Sequence, residues 1–119
     1  RAGWHGSGLE LAWLPSGQLA IQSFVEDTDG GDHRVSFTVE LRPGWFFGPK
    51  TGDAAWEIEL SVEADCARVP AHGRHTVFET VHRATTPEDA ARCLRDATTR
   101  LVELATEGPI DEWTKRCSQ

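Results

Sequence analysis

The chain has 119 residues, the length of one ordinary domain, which excludes a multidomain organisation. Apolar residues make up 39% before 11 glycines are added, so the composition is not that of a disordered chain, and no apolar run reaches the ~18 residues that a membrane-crossing helix needs. Against 12 Lys and Arg stand 19 Asp and Glu, a formal charge of −7 with no local basic patch, so neither nucleic acid nor a membrane is an expected partner.

The apolar period changes near Thr86 from two to about 3.6, so strands come first and a helix last. Leu9, Leu11 and Trp13 alternate with Glu10 and Ala12. After the turn residues Pro15-Ser16-Gly17 the alternation resumes over Gln18 to Val25, which is a hairpin signature. Residues 26–32 contain no apolar side chain and two glycines, and are expected as an exposed turn.

Two strands then stand out. Val35, Phe37, Val39 and Leu41 share one side of His33 to Leu41, and Trp56, Ile58, Leu60, Val62 and Ala64 share one side of Ala55 to Ala64. Such alternation predicts antiparallel strands with one wet face. A fifth strand, His75 to His82, is less regular, because Val77 and Val81 share a side with Glu79 while Phe78 faces the other way, and it is expected near an edge or beside a cleft. Thr86 and Pro87 then open a helix whose stripe of Ala90, Leu94, Ala97, Leu101, Leu104 and Ala105 ends at Gly108-Pro109.

The expected fold class is therefore a single α+β domain over 1–119. An antiparallel sheet of about five strands in meander-like order lies within 9–82, with a helix over 87–107 packed on one face and a short helical tail over 110–116. The expected core is Leu11, Trp13, Ile21, Val35, Phe37, Val39, Trp56, Ile58, Leu60, Val62, Leu94, Leu101 and Leu104, with Trp113 packing back on the body.

Three cysteines, Cys66, Cys93 and Cys117, are not a disulfide framework and fit a reducing, cytoplasmic compartment better than secretion. Because the chain starts at Arg1, secretion after removal of a leader is the alternative. One bridge is open to them, Cys66–Cys93, because Cys66 follows an expected strand and Cys93 lies in a helix expected to pack on the same sheet. The scarcity of lysine beside arginine suggests a GC-rich, bacterial gene.

Candidate chemistry is sparse. Cys66, His72 and His75 are zinc-type ligands without a zinc-type spacing, and His75 and His82, seven residues apart, should face opposite sides of a regular strand, so no metal is expected. No cofactor motif or nucleophile motif is present, and His82, Glu79 and Cys66 carry no local signature of an assembled site. Glu57 and Glu59 are spaced for acid–base work but equally for a solvated sheet face.

Two features suggest a binding surface. The loop Pro43-Gly44-Trp45-Phe46-Phe47-Gly48-Pro49 is either a plug over an open end of the sheet or an apolar lip for a partner. Glu10, Glu40, Glu57, Glu59 and Glu63 should all project from the wet face, with Arg34 the only cation expected among them. Like charges across strands repel, so such a face is suited to a basic protein partner.

The expected function is a non-enzymatic interaction module, of the kind found among small acidic immunity, chaperone or adaptor proteins. Its partner site would comprise Glu57, Glu59, Glu63, Trp45, Phe46 and Phe47. The alternative is a small-ligand or enzymatic site between helix and sheet, lined by Trp56, Phe78 and His82. The sequence does not specify an oligomeric state.

Overall fold

Apolar alternation organises the molecule around two central strands. In the computed structural model, which describes residues 4–14, 18–27, 33–43, 56–66 and 74–115, β4 (His33–Pro43) and β5 (Trp56–Cys66) pair antiparallel along their full length. Val35 lies opposite Ala64, Phe37 opposite Val62, Val39 opposite Leu60 and Leu41 opposite Ile58, so every apolar residue of both strands falls on one face. β3 (Leu19–Asp27) extends the sheet beyond β4, and β6 (Arg74–Ala84) extends it beyond β5.

The outer side of β3 is shared by two short strands. β1 (Trp4–Gly6) pairs with its second half and β2 (Glu10–Trp13) with its first, completing a six-stranded antiparallel sheet. From β2 to β6 the order is a meander, and the fold is α+β as expected. β1 was not expected, since three residues are too short for a periodic signal. Ser7 bridges the break between β1 and β2. Its backbone N–H donates to the Phe24 carbonyl at 2.8 Å, and its hydroxyl accepts from the Phe24 N–H at 2.9 Å.

Helix α1 (Pro87–Glu107) starts where the sequence places it. The Thr86 hydroxyl accepts from the Asp89 N–H at 3.1 Å, Pro87 needs no partner for a missing N–H, and Glu88 and Asp89 sit in the positive first turn. Ala90, Ala97, Leu101 and Leu104 are buried against the sheet, chiefly over β5 and β4. A second, short helix α2 (Ile110–Thr114) buries Ile110 and sets Trp113 against Phe37, with ring centroids 6.1 Å apart. The Trp4 indole donates to the Asp111 carboxylate at 3.0 Å, tying β1 to this end of the molecule.

Three expectations are corrected. Leu11 and Trp13 face the helix side but are 69% and 75% exposed, because α1 lies over the middle of the sheet and not over β2. In β6 a bulge opposite Val62 and Glu63 leaves Val77 without a partner, so Val77 and Phe78, adjacent in sequence, both pack against the core while Glu79 and Val81 face out. That bulge also puts His75 and His82 on the same face, but their partners Ala64 and Ile58 are six residues apart, about 20 Å by strand rise, too far to share an ion.

Cys93 is a free, half-buried thiol, so the Cys66–Cys93 bridge is not formed. Trp45, Phe46, Phe47 and His72 lie outside the described residues, as does the turn over 28–32. Among the described residues no helix is long and apolar enough to cross a membrane.

Gly108 is required by close approach. Its N–H donates to the Leu104 carbonyl at 2.9 Å, and a Cβ there would collide with that carbonyl and come within 2.7 Å of the Trp113 ring. Gly108→Ala should therefore displace Trp113 from Phe37 and cost roughly 1–3 kcal/mol, seen as a lower urea midpoint at unchanged slope.

Candidate functional site

The face of the sheet opposite α1 carries the charge. Register places Glu10, Glu26, Glu40, Glu57, Glu59, Glu63, Asp65 and Glu79 on it, together with Arg34, Arg42, Arg74 and Arg83. Arg34 is thus not the sole cation. The other three arginines each sit one residue beyond the expected strand ends, and each is carried onto the face because its strand runs past the expected bound.

At the end of the sheet near Trp56 these charges form a network centred on Arg42. Its Nη2 donates to Glu57 at 2.6 Å and to Glu59 at 2.7 Å, its Nε to Glu57 at 3.1 Å, and its Nη1 to Glu40 at 2.9 Å. Arg83 adds a contact to the second Glu57 oxygen at 3.3 Å. Burial opposes the charge on Arg42, but the hydrogen bonds it donates to Glu59 and Glu57, with the charges of those carboxylates, outweigh it and hold the guanidinium above its ordinary range. A raised basic group contributes stability that is fully present below its unfolded-state value and lost only at still higher pH, so Arg42 adds no pH dependence near neutrality.

Glu57, only 9% exposed, and Glu59 are accordingly held by Arg42, not displayed to a partner. Of the expected row, Glu63 lies apart from this network, at 3.3 Å from an exposed Arg74. Glu57 and Glu59 thus share hydrogen bonds from one guanidinium nitrogen.

Beside the network the polar face is hollow. A depression of about 320 Å³ runs across β2 to β6, with Gln22, Ser36, Thr38 and Ser61 among the residues lining it and the carboxylates of Glu10, Glu40, Glu63 and Asp65 around them. Arg34, stacked 3.8 Å over the Phe24 ring, and Arg74 also border it. Glu10 is expected on the acidic face from the sequence, but Gln22 and Asp65 are not singled out there. The available signal was the run of small hydroxyl residues on the wet side of the two cleanest strands, which leaves room between longer charged side chains.

On the helix side a smaller groove of about 230 Å³ is lined by Leu41, Trp56, Pro87, Ala90, Ala91 and Leu94. Trp56 lines it, but Phe78 and His82 do not. Phe78 lies under Arg100, 6.0 Å from its guanidinium, and His82 is exposed beside Ile58. His82 and Glu79 lie on opposite faces of β6. Among the described residues no group of His, Cys, Asp or Glu is arranged to hold a metal ion.

Comparison with protein-family models, with curated proteins and with solved structures gave no match to this chain.

The network makes Arg42 the electrostatic keystone of the face. Arg42→Leu should destabilise the fold by about 2 kcal/mol, since a nearly buried Glu57 loses both hydrogen bonds from Arg42 and keeps the longer contact with Arg83. Adding Glu57→Leu to that variant should recover at least half of the loss, which a double-mutant cycle in urea unfolding would measure.

Proposed function

We propose that this chain is a non-enzymatic interaction module that docks a basic segment of a protein partner in the hollow of its polar sheet face. The observation that supports this reading is the composition of that hollow. Carboxylates of Glu10, Glu63 and Asp65 border a floor of Gln22, Ser36, Thr38 and Ser61, which offers hydrogen bonds to a backbone or to lysine and arginine heads, and the bordering Arg74, whose pair with Glu63 is exposed, is a cation that an incoming basic group would replace. The overall charge of −7 adds long-range attraction for such a partner.

The site thus shifts from the row Glu57, Glu59 and Glu63 toward Glu10, Glu63 and Asp65, because Glu57 and Glu59 belong to the Arg42 network. The apolar groove at Leu41 and Trp56 offers no converging polar groups, which argues against a small-ligand or enzymatic site there.

The test is a titration with a lysine-rich peptide followed by amide NMR shifts. Shifts should concentrate at Ser36, Thr38 and Ser61 and weaken with salt as the Debye length falls toward about 8 Å. The variant Glu10→Gln, Glu63→Gln, Asp65→Asn should lower affinity about tenfold, whereas Glu88→Gln, Glu107→Gln, Glu112→Gln, with the same net charge, should lower it about twofold. Equal losses in the two variants would reduce the effect to net charge and remove the hollow as a site.

A further inference from the structure

The two edges of the sheet are built differently. On one side the edge is divided between β1 and β2, short strands separated at residues 7–9, a form that discourages further pairing. On the other side β6 runs for 11 residues without proline or lysine, its single bulge confined to Val77, and α1 rides mainly over β5 and β4. Among the described residues no strand pairs with β6 on its outer side, and a long regular edge of this kind is a template for a strand of matching register.

The sequence of β6 matches itself. Among antiparallel registers that keep like faces together, centring the pair on Val81 sets Glu79 opposite Arg83 of a second copy, twice by symmetry. Val81, an apolar residue 43% exposed, then meets its own copy on the two-fold axis. Shifting the centre to Glu79 opposes two glutamates, and shifting it to Arg83 opposes two arginines. On the other face Thr80 falls opposite His82. Arg83 already contacts Glu57 at 3.3 Å, but it is 55% exposed and its guanidinium has donors enough for a second carboxylate.

We infer that β6 is a homodimerisation edge, at which two copies of this chain join their sheets antiparallel about Val81. The inference is independent of the docking hollow, which lies on the face and not on the edge. A contact of one strand per copy is small, so the dimer should be reversible and concentration-dependent.

Sedimentation velocity from about 5 to 500 µM should show a monomer–dimer equilibrium. Glu79→Arg should raise the dissociation constant about tenfold, and the combined Glu79→Arg, Arg83→Glu variant should return it to within about threefold of the parent. Circular dichroism checks that each variant is folded.

A second measurement does not depend on the network at Glu57. With Cys66, Cys93 and Cys117 changed to Ser, Val81→Cys should crosslink to its own copy under diamide, since directly opposed strand residues lie about 4.5–5.5 Å apart at Cα. Glu79→Cys should not, being about 13 Å from its copy in this register. A monomer at every concentration overturns the inference. So does a dimer in which Glu79→Cys crosslinks as readily as Val81→Cys.

Discussion

A single long helix has to dry one face of a sheet several strands wide. An α-helix is about 10 Å across with its side chains, and strands repeat every 4.8 Å or so, which means one helix shields two or three strands and no more. α1 spends that cover on β4 and β5, where Phe37, Val39, Ile58, Leu60 and Val62 are essentially inaccessible. α2 and Trp113 extend the shelter toward Phe37 and, through the Trp4–Asp111 bond, toward β1. Leu11 and Trp13 on β2 point the same way as the core and stay wet.

The opposite face is governed by a different constraint, which is how to gather many carboxylates on one surface without mutual repulsion. Arg42 answers it at one end by serving Glu40, Glu57 and Glu59 together. Sharing one guanidinium among three acceptors costs less side-chain entropy than three separate pairs would, and little of the network faces bulk water. At the other end Arg34 and Arg74 pair with Glu26 and Glu63 more loosely and in more exposed positions. The face is thereby divided into a locked half and an accessible half, and the hollow opens beside the second.

Backbone irregularities decide where the surfaces lie. The break at Ser7 shortens one edge, and the bulge at Val77 lets β6 bury two consecutive side chains while keeping Glu79, Val81 and Arg83 on the polar side. In a regular strand Val77 would share a side with Glu79 and face away from the core. Bulges at sheet edges commonly re-aim side chains in this manner.

Fold class and the facing of the central strands are legible in the residues alone. Clean alternation in 33–41 and 55–64 specifies antiparallel strands with Ile58 and Leu60 inward, because a one-residue slip would expose every apolar side chain. The run from Thr86 to Gly108 specifies the helix, because cap, first-turn charge and apolar stripe agree. Strand ends were legible only as far as the apolar residues ran, so Arg42, Arg74 and Arg83 were missed and Glu57 and Glu59 read as free. Packing across strands settles these, since the cross-strand ion pairs of the three arginines join residues 11 to 26 positions apart and leave no local period. The same holds for Leu11 and Trp13. Their pattern says which way they face, but whether anything covers them depends on where a helix 75 residues later comes to rest, and its width sets that limit.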